Sequence, residues 1–209
     1  MDRITAIRSA KSRTRAEIFV NGVSTGTVHK QVIVNAGLQS GQEISKPEIS
    51  RLKKADLIQR CSDASLHFLS YRPRSEAEVR QRMNRRGFDP DTINSTIIRL
   101  KKQKFINDEE FARYWRENRT AFNPKSRIML KKELRLKGIN EDVAVEAVED
   151  VDEMDAAFRA GKKKARVLLK LSHDEFEKKL LNYLRWRGFN YEIIKNVCDR
   201  LWDQRKMIK

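Results

Sequence analysis

The chain has 209 residues, 39% hydrophobic and 35% charged, with a formal net charge of +16. That composition is lean for one globule but natural for thin helical modules with much surface, and the positive balance implies an anionic partner: nucleic acid, an acidic protein surface, or both. It argues against a membrane span, since no long apolar run or signal-peptide core exists, and against a disulfide framework, since the two cysteines, Cys61 and Cys198, lie far apart with no metal-like spacing.

The expectation is a soluble cytosolic protein whose two thiols are buried in a reducing compartment. Residues 1–44 differ from the rest. Ala16, Ile18 and Val20 alternate with Arg15, Glu17 and Phe19, a strand period, and Asn21-Gly22 is a strong hairpin signal. Val32, Ile33 and Val34 are β-branched, yet Gly37-Leu38 resembles a helix end, so that segment reads either way. The prediction is a small β-rich module, too small to stand alone, that packs on the helical part or on a partner. Ser45-Lys46-Pro47-Glu48 then matches a capping box with proline just inside, opening a connecting helix over 45–62.

From Pro47 onward every strong periodicity is helical, and one pattern occurs three times: MNRRGFD around Gly87, LRLKGIN around Gly138 and LRWRGFN around Gly188. The glycines stand 51 and 50 residues apart, the signature of a repeat protein that presents an extended binding surface. Eight and four residues before each glycine are apolar pairs: Val79 and Met83, Leu130 and Leu134, Leu180 and Leu184. Each pair is one stripe of an amphipathic helix. Arg86, Lys137 and Arg187 precede the glycines, where the helix dipole is negative, and the glycines fit the left-handed position after a helix end. Phe88, Ile139 and Phe189 follow as the apolar residue that folds back. Asp89, Asn140 and Asn190 then cap a further helix, with Pro90 at its first position in the first unit. Ile93 and Ile97, Val143 and Val148, and Ile193 and Val197 supply the apolar face of that helix.

An additional helix lies upstream in each unit, around Leu66 to Tyr71, Phe111 to Trp115 and Ala156 to Leu169. Three three-helix repeats follow, over 63–104, 105–153 and 154–209. Local capping alone would also generate three helix–turn–helix units; the matched period favours duplication. Ser75 to Glu78 and Ser172 to Glu175 match capping boxes for the helices that lead to Gly87 and Gly188. Asn107 to Glu110 is a cap with acidic first-turn residues rather than a metal cluster, because no histidine accompanies it. Asn123-Pro124 ends the helix that holds Trp115. The run Lys162, Lys163, Lys164 and Arg166 is a solvated helix face or one that meets phosphate.

Catalytic chemistry is not in evidence. His29, His67 and His173 are dispersed, and no P-loop, GxSxG or HExxH occurs. The expectation is no enzymatic activity and no cofactor. The cations are more informative: beyond those needed at helix ends, they suggest a basic ridge that recurs from unit to unit, suited to a regularly spaced anionic track. On charge and repeat position the interface candidates are Arg72, Arg74, Arg80, Arg82, Arg85, Lys131, Lys132, Arg135, Lys162, Lys163, Lys178, Lys179 and Arg185. Trp115, Trp186 and Trp202 fall at helical spacing and read as core rather than as base-stacking residues.

The segments from Tyr71 to Phe88 (YRPRSEAEVRQRMNRRGF), Phe105 to Arg119 (FINDEEFARYWRENR), Ile128 to Ile139 (IMLKKELRLKGI) and Leu181 to Val197 (LLNYLRWRGFNYEIIKNV) resemble the RecX family, bacterial regulators of the RecA recombinase. The likeness covers about residues 60–209, and the stretch GLQSGQEIS is similar to the leader of longer members. The resemblance implies a mainly α fold of tandem three-helix repeats in an elongated arrangement. It implies binding to RecA filaments on single-stranded DNA, in the filament's groove, with suppression of ATP hydrolysis, co-protease activity and strand exchange in DNA repair and recombination. It supplies no catalytic residues and no motif that assigns individual contacts. A monomer is expected. A sequence-independent DNA-binding protein acting without RecA needs the same basic face and remains the alternative; a nuclease would need clustered carboxylates that the sequence does not offer.

Overall fold

The computed structural model describes residues 2–207. The chain forms two compact units, residues 1–106 and 107–209.

The first unit begins with an antiparallel sheet of β1 (Asp2–Ser9), β2 (Arg15–Val20), β3 (Val23–His29) and β4 (Glu43–Ile44), in the order β3-β2-β1-β4. Alternation along β2 buries Ala16, Ile18 and Val20 and leaves Arg15, Glu17 and Phe19 half-buried. Asn21 and Gly22 both take positive φ, 50° and 80°, the geometry of a tight hairpin turn whose twist matches its strands. The ambiguous segment is a helix, α1 (Lys30–Asn35), closed by Gly37 at φ 60°. Leu38 donates its N–H to the Ile33 carbonyl there at 3.1 Å, so the helix-end signal outweighs the β-branched run.

The sheet and α1 close over one side of α2 (Lys46–Leu69), with Ile4, Val20, Val28, Ile44 and Leu52 in one cluster. Asp56, 6% exposed on α2, accepts from the His29 N–H at 2.7 Å and from Arg15 Nη2 at 2.9 Å, which ties the helix to two strands. Helix α2 has both halves of the Ser45–Glu48 capping box and runs unbroken to Leu69. The connecting helix and the first helix of the first repeat are therefore one helix, because no glycine or proline interrupts residues 48–69.

Helices α3 (Glu76–Arg85) and α4 (Pro90–Lys102) complete the first repeat. The second unit contains α5 (Asp108–Phe122), α6 (Arg127–Leu136), α7 (Glu141–Val148), α8 (Glu153–Ala165), α9 (His173–Trp186) and α10 (Tyr191–Met207). In every repeat the second helix ends the same way. Gly87, Gly138 and Gly188 take φ of 82°, 79° and 84°. Each glycine N–H donates to the carbonyl three residues back at 2.9 Å. Phe88, Ile139 and Phe189 donate to Met83, Leu134 and Leu184 at 3.3, 3.1 and 3.4 Å. These two bonds are the 5→2 and 6→1 pair of a Schellman end. Asp89, Asn140 and Asn190 then accept the first-turn N–H groups of Thr92, Asp142 and Ile193, each at 2.9 Å.

The pairs before the glycines are the centre of each repeat's core: none of Val79, Met83, Leu130, Leu134, Leu180 and Leu184 exceeds 1% exposure. Each such side chain contributes roughly 1.5–3 kcal/mol by leaving water. Ile93, Ile97, Val148 and Val197 are buried as the sequence suggests, but in the second and third repeats the first apolar position of the third helix lies one residue further along. The matching buried positions, six residues after each glycine, are Ile93, Ala144 and Ile194; Val143 and Ile193 are only half-buried. Cys198 occupies the place of Ile97 and Val148, and it is buried as they are.

Candidate partner interface

The basic candidates divide by what surrounds them. In the first repeat, Arg72 clamps Glu78 through both terminal nitrogens, at 3.1 and 2.9 Å. Arg74 lies over the Phe68 ring at 4.1 Å, and Arg82 approaches the same ring at 5.7 Å. Arg80 bonds Glu76 through Nε at 2.6 Å and Asn94 through Nη1 at 2.6 Å, while Lys101 takes the second Glu76 oxygen at 2.6 Å. Burial alone would raise the Glu76 carboxyl; the hydrogen bonds from Lys101 and Arg80 outweigh it and hold the group below its ordinary value. Arg72, Arg74 and Arg80 are thus engaged within the fold, whereas Arg82 and Arg85 reach solvent.

In the second repeat, Lys131 and Arg135 stand one helical turn apart on α6, and both meet Glu141, at 3.3 and 3.1 Å. Lys132 points away from them and is exposed. In the third, Lys163 donates to the Phe122 carbonyl at 3.1 Å and so links α8 to the end of α5. Lys162, Lys178, Lys179 and Arg185 are exposed. Among the described residues they form no ion pair.

The recurring ridge is therefore confined to one position. Only the residue before each glycine is cationic in all three repeats, and in two of them it is folded back on an aromatic ring. Lys137 Nζ sits 5.0 Å from the Trp115 ring, and the Arg187 guanidinium sits 4.2 Å from Tyr183. The neutralising carboxylates Glu76, Glu78 and Glu141 went unrecognised in the sequence, where they look like first-turn acids.

The second unit has a further, half-buried polar centre. Glu133 on α6 accepts from Trp115 Nε1 at 2.9 Å, from Arg119 Nε at 2.8 Å and from Lys125 Nζ. Burial would push its carboxyl up, and the three donors more than reverse that. The arrangement is structural: both carboxylate oxygens accept from donors of the same fold.

Trp186 departs from the expectation that all three tryptophans are core. Trp115 and Trp202 are half-buried, with Trp202 packed edge-on to His173 at 4.7 Å, but Trp186 is 85% exposed. Its place explains this. It stands two residues after Leu184, about 200° round the helix from a buried position, and so faces away from the core. Leu136 holds the same position in the second repeat and is 79% exposed. The helical angle was available in the sequence, but helical spacing alone does not say which face a residue occupies.

Asn107 accepts from the N–H groups of Glu109 and Glu110 at 3.0 and 3.2 Å, so that acidic run is a helix cap. The described residues contain no cluster of three or more His, Cys, Asp or Glu side chains that would hold a metal ion. No helix among them is long and apolar enough to cross a membrane.

Three family models match in tandem: the RecX first three-helix domain over residues 61–100, the second over 107–148 and the third over 150–198. Regulatory protein RecX of Bacillus subtilis (strain 168) is 31% identical over 205 residues, which cover 96% of this chain and 78% of that one. Regulatory protein RecX of Clostridium perfringens (strain SM101 / Type A) is 28% identical over 213 residues, which cover 99% and 100%. A crystal structure of a regulatory protein RecX superposes with a TM-score of 0.79 at 21% identity, over 95% of this chain and all of that one. RecX from Lactobacillus salivarius superposes with a TM-score of 0.61 at 25% identity, over 70% and 97%.

Proposed function

The chain belongs to the RecX family of regulatory proteins, and on that premise we propose that it modulates RecA, chiefly as an inhibitor. It binds the RecA filament on single-stranded DNA and suppresses ATP hydrolysis and strand exchange, as a cytoplasmic monomer without catalysis of its own. The observation that carries this reading is the complete set of three RecX domains in order, on relatives matched over most of their length. The geometry supports it. Of the basic candidates, Arg82, Arg85, Lys132, Lys162, Lys178, Lys179 and Arg185 are exposed and form no ion pair among the described residues, which leaves them available to an anionic filament.

The test is RecA ATP hydrolysis on single-stranded DNA with this protein titrated in below the RecA concentration. Inhibition while the protein is scarce relative to RecA is expected, since one bound molecule then affects many subunits. No inhibition at any ratio refutes the reading.

The net charge of +16 favours a second reading, binding to DNA without RecA. Salt separates the two. Contacts to phosphates alone lose affinity steeply as salt rises, through counterion release, and a docked protein interface retains more.

A further inference from the structure

Leu136 and Trp186 are the last residues of α6 and α9, each two residues before the glycine of its repeat. They are 79% and 85% exposed. One exposed leucine would be ordinary. Here the same position of two repeats holds a large apolar side chain pointing to water, and the frame around it is also the same. Arg135 and Arg185 precede, and Lys137 and Arg187 follow. The following cations lie back over Trp115 and Tyr183, and Arg135 leans on Glu141, so the apolar side chain stands clear of its neighbours.

We infer that Leu136 and Trp186 are equivalent anchors, each entering an apolar socket rimmed by carboxylates on subunits of a protein polymer. The inference rests on the RecA-filament reading above. Two like anchors on two like modules match a partner that presents the same socket repeatedly, which a polymer of identical subunits does. Arg185, exposed beside Trp186 and in no ion pair among the described residues, favours an acidic rim. A nucleic-acid partner is disfavoured by the leucine: tryptophan stacks on a base, but leucine at the equivalent place does not, and what the two share is apolar area. The first repeat carries Arg85 at this position and offers no such anchor.

The experiment measures binding of the full chain, L136A, W186A and the double variant to RecA filaments preassembled on single-stranded DNA with a non-hydrolysable ATP analogue. Binding to the same DNA alone and the self-association state are measured in parallel. Both side chains lie outside the cores, so thermal melting should match wild type and show that the variants fold.

The expected result is a loss of filament affinity of about thirtyfold or more for W186A, in the range of interfacial hot spots. A smaller loss is expected for L136A and a larger one for the double variant, with DNA affinity unchanged. Tryptophan emission should also shift to the blue when wild type binds filaments and should not do so in W186F. If wild type binds filaments and the double variant binds equally well, the anchor assignment is wrong and the RecA reading stands. If wild type itself ignores filaments, the RecA reading falls and takes the anchors with it. Loss of affinity for bare DNA in W186A alone would make Trp186 a base-stacking residue, and loss of a self-associated state would make the face a contact between copies. Either result overturns the inference.

Discussion

The backbone N–H of Ser126 donates to the carbonyl of Arg187 at 3.1 Å, which joins the start of α6 in the second repeat to the turn that ends α9 in the third. Ser126 is fully buried there, and its hydroxyl also caps α6 by accepting from the Met129 N–H at 3.2 Å. The glycine next to Arg187 therefore has two duties. Gly188 must take a left-handed backbone, and it must admit Ser126 and Met129 so closely that an added Cβ would overlap Met129 Cγ and Ser126 Oγ. Gly87 has the first duty only, with open space where its Cβ would be.

The two glycines should respond differently to alanine. Gly87→Ala carries the backbone cost alone, roughly 1–2 kcal/mol. Gly188→Ala adds overpacking against a buried cap and should lose about 3 kcal/mol or more in total. Urea denaturation followed by circular dichroism measures both. Equal losses would mean that the approach of Ser126 and Met129 has no energetic consequence.

The same turn chemistry makes a prediction of opposite sign. After α4 the left-handed position is held by Lys104 at φ 60°, and its neighbour Phe105 still donates to the Leu100 carbonyl at 2.9 Å. A Schellman end without glycine is strained by its Cβ. Lys104→Gly should raise stability by about 0.5–1 kcal/mol, the relief of strain less the entropy that glycine loses on folding. An unchanged or lowered melting temperature would contradict this.

Much of this architecture was legible because it is local. A cap, a glycine turn and an i, i+4 stripe each need residues only a few positions apart, so Asp89, Gly138 and Leu180 could be placed from sequence. What failed was nonlocal. Glu133 draws its three donors from positions 115, 119 and 125 on another helix and the connecting loop, and no spacing rule brings those together. Glu76 takes a cation from α4 as well as one from its own helix, which removes Arg80 from the surface ridge that residue counting suggests. Trp186 was misplaced for another reason: helical spacing was taken to mean core, though its angle from Leu184 turns it outward. The continuity of α2 was masked by the assumption that a new module needs a new helix.

Thiol chemistry offers a third check. Cys198 on α10 belongs to the core of the third repeat, 3% exposed, and burial pushes its thiol up to about 12, with Glu177 and Asp199 adding to the rise. Burial also raises Cys61, although hydrogen bonds with Thr96 and Ser65 oppose it. A thiol so shifted has almost no thiolate at pH 8, and the thiolate is the reactive form. Neither cysteine should react with a thiol reagent in the native protein over minutes, and both should react in denaturant. Prompt native labelling of either one would show that its core opens readily.

Glu133 makes stability depend on pH with a definite sign. Its carboxyl, ordinarily near 4.5, is desolvated, yet the bonds from Lys125, Arg119 and Trp115 hold the folded value lower. A carboxylate depressed by folding contributes fully above its unfolded value, and that contribution is lost as pH falls through the folded value. The second unit should therefore be most stable above pH 4.5 and weaken below it. Glu133→Ala at pH 7 leaves two cations and an indole N–H without their acceptor and should cost about 2–3 kcal/mol. Glu133→Gln keeps an acceptor oxygen but no charge, so it should cost less. The difference between wild type and Glu133→Gln should be greatest near neutrality and shrink as wild type protonates in acid. Denaturation midpoints of both proteins between pH 7 and pH 3 test this; parallel curves across that range would show that the Glu133 charge does not stabilise the fold.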